Sequence, residues 1–489
     1  MSPQSTEPAG NASSDTPSSQ KPPGRRGSGM DLTTGKISKV LLIFSLPIIG
    51  QMSIQPLFQV MDRIFIGQIG PEAFKAVTNA AVLQMLVIML SAGIANGVTS
   101  YVSRLVGSGD YAEADNAANH AILLILGISV LYIALAYPFD RAFFAMLELE
   151  PALIGQAHDY IKVIILGNIT IMFSLIGANI LRGEGNSTTP FWLAFIAIAI
   201  NLVLDPLLMF GPEDSVFGFH IGWLGMGVMG ASTATVIGRG VSVVLLILYL
   251  LKGKSIWTFS LKNFHWNPQH IVEILRVGFP MLLVNLCVWI ANIVFLRILN
   301  PIRGAAVAYG MGIQFDMLAI LPMIGLMLGV VSMVGQNYGA GDLDRARRSA
   351  WIGSIYGALF SLGIGIIYIL FPDFWVSLFN KEGDPVIQQL GREYIYIVGL
   401  TYTFVSQVFV LGGAFQGLGK GMPPLIITAV RFLAVAIPLT IILTRYMGAT
   451  GAWIAIAASH VVGGIFAIAW IAIEFRKRKK QAEAEAGGE

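Results

Sequence analysis

Twelve long apolar runs alternate with short polar or glycine-rich breaks along the chain. They predict helices near 38–68, 76–106, 114–138, 153–182, 188–211, 222–251, 268–299, 305–338, 346–371, 387–416, 422–446 and 449–475. Each run reaches the roughly 20 residues that a helix needs to cross a bilayer core, and in lipid a helix satisfies its own backbone polar groups. The fold class that follows is an all-α polytopic membrane protein with twelve transmembrane helices. Polar positions inside the runs are few, and in span one they align: Gln51, Gln55, Gln59 and Asp62 follow at steps of four, four and three. That spacing puts them on one helix face, which needs water or protein against it rather than lipid. Pro56 within the stripe removes a backbone hydrogen bond and marks a hinge.

The chain also says nearly the same thing twice. Arg104-Leu-Val-Gly-Ser-Gly-Asp-Tyr-Ala-Glu-Ala follows span two and Gln336-Asn-Tyr-Gly-Ala-Gly-Asp-Leu-Asp-Arg-Ala follows span eight, a shift of 232 residues (109 to 341). Pro47 and Pro280 open long runs 233 apart, and Arg182-Gly-Glu-Gly matches Gln416-Gly-Leu-Gly 234 apart. Two pseudo-symmetric six-helix lobes with function at their seam are a transporter's plan. The predicted division is a disordered tail over 1–35, a first lobe over 36–252, a linker over 253–267, a second lobe over 268–475 and a basic, then acidic tail over 476–489. In the linker, Trp257 and Trp266 are expected at interface depth on an amphipathic piece along the membrane surface.

Composition agrees with this plan. Of 489 residues 55% are hydrophobic and 12% charged, with a mean hydropathy of +0.71, whereas soluble proteins carry about 25% charged residues. The net charge of +3 is small, but its placement is not random. Lys and Arg crowd both termini (Lys21, Arg25, Arg26, Lys36, Lys39; Arg476 to Lys480) and the even-numbered loops (Lys252, Lys254, Lys262, Arg345, Arg347, Arg348). By the positive-inside rule both termini are cytoplasmic, which requires an even number of spans. The expected location is the cell (plasma or inner) membrane. The basic run Arg476–Lys480 directly follows a span, where such runs meet anionic lipid headgroups, so the bilayer and not nucleic acid is the expected partner. Cys287 is the one cysteine and lies in an apolar run, which excludes disulfides and cysteine metal sites. Gly225-Met-Gly-Val-Met-Gly230 fits a dinucleotide fingerprint, but no predicted strand precedes it, so packing or a turn explains it better. No Walker motif and no catalytic constellation is present, so neither a cofactor nor an enzyme activity is expected.

Ionisable groups at membrane depth each cost about 2.5–3.5 kcal/mol on insertion scales and persist where they have work or a partner. In the first half these are Asp62 and, on span five, Asp205, with Asn201 one helical turn before it. The competing reading makes Asp62 an interfacial partner of Arg63 and Asp205 a helix-end marker before Pro206. The repeat places Phe295 opposite Asp62 and Leu439 opposite Asp205, so only the first copy has this acidic pair. In the second half Asp316, with Gln314, either binds a cationic substrate or pairs with Arg297 or Arg303. Asn285 and Asn292 add polarity to span seven. Gln55, Gln59, Asn292, Gln314 and Asp316 are the candidates for a substrate cavity. Met311, Met317, Met323 and Met327 read mainly as packing, as does His460.

With these residues in view, the chain resembles the multidrug and toxic compound extrusion (MATE) transporters over residues 36–475. The resemblance rests on Pro47…Val60-Met-Asp62-Arg-Ile-Phe-Ile-Gly67-Gln-Ile-Gly70, Leu181-Arg-Gly-Glu-Gly185…Pro190, Asn201-Leu-Val-Leu-Asp205-Pro206, Gly230-Ala-Ser-Thr-Ala-Thr235 and Gly335-Gln-Asn-Tyr-Gly-Ala-Gly-Asp342. It implies two lobes in a V around a cavity that opens to alternate sides. It implies a monomer that exports organic cations or other amphipathic drugs in exchange for H⁺ or Na⁺. The family's cation site falls here on Asp62, Asn201, Asp205 and, beyond a longer loop over 212–224, Thr235; the first three are the ligands if the ion is Na⁺. Where another branch has a glutamate on span seven this chain has Asn285, so the resemblance carries no cation site into the second lobe. The alternative within the same superfamily is a flippase of lipid-linked oligosaccharides, which needs Arg63, Arg239 and Arg297 to converge on the cavity.

Overall fold

The structure, a computed structural model, describes residues 29–214, 218, 220, 222–258 and 264–486. Among them there is no strand. The first copy comprises α1 (Ile37–Ile69), α2 (Pro71–Gly107), α3 (Tyr111–Met146), α4 (Pro151–Leu166), α5 (Asn168–Gly183), α6 (Thr188–Met209) and α7 (Val228–Leu251). The second comprises α8 (Pro268–Leu299), α9 (Ala305–Gly339), α10 (Leu343–Leu370), the short α11 (Pro372–Ser377), α12 (Pro385–Val398), α13 (Tyr402–Gly417), α14 (Met422–Ala429), α15 (Ile437–Met447) and α16 (Ala449–Ala486). All twelve predicted spans are helical. Span four is bent by 48° between α4 and α5, and its counterpart breaks into α12 and α13 at a single 3₁₀ turn. Span eleven carries a π-helical turn, Val430–Ala436, between α14 and α15.

The duplicated motif now has a mechanical explanation. Gly109 and Gly341 both have φ near +80°, closing α2 and α9, a conformation that glycine adopts without steric cost. The next residue caps the following helix: Asp110 accepts from the Glu113 N–H at 3.1 Å, and Asp342 from the Arg345 N–H at 2.8 Å. Just before these turns the two copies touch each other. A Cβ on Gly107 would strike the Gln336 backbone, and one on Gly339 would strike the Arg104 backbone. The motif is a reciprocal contact between lobes.

Further inter-lobe contacts lie in the same half of the molecule, toward the described termini. Gly93 and Gly97 of α2 meet Gly278 and Ile274 of α8, while Gly325 and Gly329 of α9 meet Ile49 and Ser45 of α1. As a result α1 and α8 serve both lobes. Leu41, Phe44 and Ile48 of α1 pack with second-copy residues such as Met333, Leu411 and Phe415, whereas Phe65 and Ile66 join the first-copy core. Ile274 of α8 packs in the first-copy core, and Ala291, Phe295 and Leu299 in the second.

Three expectations change. The tail over 1–35 lies outside the described residues up to 28, but 29–35 is packed. Leu32 is fully buried, Met30 N–H donates to the Gly185 carbonyl at 2.9 Å, and Asn337 donates to the Leu32 carbonyl at 3.0 Å. In the linker, of which 259–263 (with Lys262) is outside the described residues, Trp257 is buried rather than at a lipid interface. Its indole donates to Asn119 at 3.1 Å, and the buried Glu184 carboxylate accepts from the Ser255 hydroxyl and the Ile256 and Trp257 N–H groups. Only Trp266 is exposed. At the other end α16 continues to Ala486 as helix, not tail, held by Glu474 pairing with Lys420 at 2.6 Å and Arg478 at 2.7 Å.

Candidate functional site

The polar stripe of α1 faces the first copy's interior. Gln55, Gln59 and Asp62 line a cavity of about 160 Å³ together with Gln84 and Ser91 of α2, Asn201 of α6, and Thr235 and Arg239 of α7. Its apolar wall includes Val87, Ile171, Leu175 and Ile198. Tyr160 of α4 donates to Gln84 at 3.2 Å and so backs the polar side. Pro56 lies inside α1, which is assigned as one continuous helix.

Asp205 is fully buried behind the cavity. Asn201 Nδ2 donates to Asp205 Oδ1 at 3.1 Å and to Thr235 Oγ1 at 3.4 Å, while the Thr235 hydroxyl donates back to the Ala231 carbonyl. The side chains of Asp62 and Asp205 come within hydrogen-bonding reach of each other. Yet Asp62 Oδ1 and Asp205 Oδ2 are buried and accept from no donor among the described residues. Arg63 is exposed and does not neutralise its neighbour. Two adjacent acids therefore each keep an oxygen that no donor among the described residues satisfies. Two adjacent buried carboxyl groups with so few donors are electrostatically costly. The four residues that span one, span five and span six were expected to contribute are one cluster.

The MatE family model matches residues 47–207 and again 280–442, the two copies that the repeat marks out. The chain belongs to the MatE family. It is 29% identical to the probable multidrug resistance protein NorM of Thermotoga maritima, over 87% of this chain and 90% of that protein. It is 26% identical to the FAD transporter of Shewanella oneidensis, over 89% and 94%. A solved structure described as the outward-facing conformation of a multidrug resistance MATE family transporter superposes with a TM-score of 0.86 at 25% identity, over 94% of this chain and all of that one. The protein is thus a multi-pass membrane transporter, not an enzyme, and several of its curated relatives are named as multidrug resistance or export proteins.

Within this MatE chain the second copy's polar candidates do not join the cavity. Gln314 is exposed. Asn292 accepts from the Tyr309 hydroxyl at 2.7 Å. Asp316 pairs with neither Arg297, which is exposed, nor Arg303, which lies 4.0 Å from Asp384. Instead Asp316 accepts from the Tyr394 hydroxyl at 2.9 Å and the Tyr402 hydroxyl at 2.7 Å. His460 is buried and bonded to Thr401 at 2.8 Å. Met311, Met323 and Met327 are buried packing, and Met317 is exposed.

Sequence reasoning passed over Tyr160, Gln84 and Ser91. Gln84 was findable, as the one amide within the apolar stretch 80–90; Tyr160 was not, because tyrosines are common near span ends. Gly225 and Gly227 both have positive φ, so the false dinucleotide fingerprint is a turn ahead of α7, on a loop whose residues 215–217, 219 and 221 lie outside the described set.

Proposed function

We propose that this MatE transporter is a secondary antiporter that exports organic cations or amphipathic compounds in exchange for H⁺ or Na⁺. The observation that carries the reading is the pair of buried, unpartnered oxygens on Asp62 and Asp205 beside the cavity. Loading the pair with a proton or a cation removes the electrostatic penalty of two adjacent carboxylates. Asn201 and Thr235 complete an all-oxygen ligand set that suits a hard cation as well as a proton. Because Asp62 also lines the cavity, loading changes the charge that a cationic drug meets there. Ion and drug then oppose each other, as linkage requires of an antiporter. Pro56 is the hinge at which α1 answers that change.

Orientation follows from the basic residues. With both termini in the cytoplasm, the glycine-packed end is cytoplasmic and the lobes part toward the opposite side. Transport is by rocking of the lobes between this arrangement and its inverse.

A flippase reading draws less support, since Arg239 lines the cavity while Arg63 and Arg297 are exposed. One guanidinium alone does not make a diphosphate cradle. Arg239 does favour cargo that carries an anionic group as well as an apolar body. The test is uptake of a fluorescent organic cation into proteoliposomes under an imposed pH gradient and, separately, an imposed Na⁺ gradient. One gradient should drive uptake in the native protein and not in Asp62→Asn; full gradient-driven uptake by that variant refutes the assignment.

A further inference from the structure

Away from the cavity, a second cluster joins three segments at the closed end. Glu113 on the first turn of α3, His265 in the linker and His270 on the first turn of α8 bring three ligand atoms within 4.8 Å of one another. His265 Nε2 is 3.2 Å from Glu113 Oε1, and His270 Nε2 is 2.9 Å from Glu113 Oε2. The amide nitrogen of Asn116, one turn along α3, lies 3.0 Å from both Nε2 atoms. Its orientation is set by the His265 backbone: Nδ2 donates to the carbonyl at 3.1 Å, and Oδ1 accepts from the N–H at 3.4 Å.

That arrangement contains a conflict. An Nε2 that carries a proton suits Glu113 but opposes the Asn116 amide protons. An Nε2 that offers its lone pair suits Asn116 but opposes the carboxylate. No protonation state of either ring makes both contacts attractive. A cation held by the two lone pairs and the carboxylate resolves it, with the Asn116 contact given up.

The surroundings are those of ligated imidazoles. His270 Nδ1 is 3.0 Å from the Tyr101 hydroxyl, which orients the ring and leaves Nε2 for a metal. His120 accepts from the Asn267 N–H through Nε2 at 3.0 Å, so its Nδ1 donates to the Asn116 carbonyl at 2.9 Å. That third ring is committed to holding the site together.

We propose that Glu113, His265 and His270 form a binding site for a transition-metal dication of the Zn²⁺ class that clasps α3 and the linker to α8. Two imidazoles and one carboxylate, with a fourth position open to water, are a ligand set for such ions. The position gives the clasp its effect. The same seam holds the Arg104–Glu273 ion pair at 3.1 Å and the close approach of α2 to α8 at Gly97 and Ile274. Any opening at this end that parts α8 from α2 and α3 has to break these contacts, so a bound metal slows that step. The slowing rests on the alternating-access reading; metal binding does not.

Tag-free full-length protein in detergent is titrated with Zn²⁺ by calorimetry and with Co²⁺ by visible absorption. One ion per chain is expected, at micromolar affinity or tighter, with the absorption of a four-coordinate Co²⁺ site. Glu113→Gln and His265→Ala, both at partly exposed positions that folding tolerates, should each weaken binding at least tenfold. Native protein that binds Zn²⁺ no more tightly than the double variant overturns the site. In proteoliposomes Zn²⁺ should slow efflux by the native protein and not by the double variant. Binding with unchanged efflux overturns the clasp, and absence of any gradient-driven efflux refutes the antiport reading without touching the calorimetry.

Discussion

The two lobes share a scaffold but treat their buried acids in opposite ways. In the first, Asp62 and Asp205 face each other beside a cavity, each with an oxygen that no donor among the described residues reaches. In the second, Asp316 is held by two tyrosine hydroxyls, and Phe295 and Leu439 stand where the acid pair would be. A carboxylate whose hydrogen bonds are already made gains less from binding an ion. A pair left unmet gains a great deal. The comparison teaches that the two copies share a frame while only the first holds a buried acid pair short of donors, the group that the antiport proposal relies on.

The largest effects expected are those that set the lobes against each other. Asp205→Asn should abolish gradient-driven uptake, whereas Asp316→Asn should keep it. The latter should instead lower the thermal midpoint in detergent, because two hydrogen bonds to a charge, worth about 1.5–3 kcal/mol each, are weakened. The reverse pattern in proteoliposome uptake breaks the comparison.

The lobe contact, unlike the site, is symmetric, and this sharpens the contrast. Gly107→Ala and Gly339→Ala each drive a methyl into the partner lobe's backbone and should destabilise by similar amounts, several kcal/mol by overpacking with no room to relax. Gly341→Ala meets open space and bears only left-handed strain, about 1–2 kcal/mol. Thermal unfolding of the three variants ranks them; unequal costs at 107 and 339 would mean the lobes are not equivalent there.

Within the ion site a graded series is expected. Asn201→Ala removes the 3.1 Å bond to Asp205 and should weaken ion dependence about 3- to 10-fold, while Thr235→Ala, at 3.4 Å, should weaken it less. The readout is the ion concentration for half-maximal uptake.

The smallest effect concerns Glu184, whose counterpart in the second copy is the buried Leu418. Burial pushes the Glu184 carboxyl up to about 7, against the opposing pull of the Ser255 hydroxyl and the Trp257 and Ile256 N–H groups. A carboxyl raised in the folded state binds more protons there than in the unfolded chain. Its stability contribution is therefore full below the unfolded value near 4.5, declines as pH rises to about 7, and is flat above that. Glu184→Gln should flatten that slope in unfolding midpoints measured from pH 5 to 8, and a slope unchanged by the substitution would assign the pH dependence elsewhere.

Much of this was legible in residue order. Twelve apolar runs, the 232-residue shift of Gly109–Asp110 to Gly341–Asp342, and the stripe Gln55, Gln59, Asp62 all read directly, because helix period and bilayer thickness leave few alternatives. Asn201 and Asp205 were legible as a pair for the same reason. That Asp62 meets them came from the family resemblance and not from local pattern, since residues 139 and 143 positions away from it are joined to it only by packing of α1 on α6. Asp316 was open to two readings, a ligand for a cationic substrate or a partner of Arg297 or Arg303, and neither named its hydroxyl donors, because tyrosines 78 and 86 residues away carry no signal in local pattern. Trp257 looked interfacial for its amphipathic ring and proved buried, since Asn119 and Glu184 supply the polar contacts that water would have given.

The sequence by itself therefore determined the membrane-spanning helices, their duplication and which residues carry charge at depth: each is a local consequence of hydropathy and periodicity. Only the tertiary structure decided which charges are answered and which are left open, because a buried carboxylate's fate depends on donors brought from other helices. It also decided that the repeated glycine turns are where the lobes grip each other, since close approach of two backbones is a property of pairs of segments and not of either one.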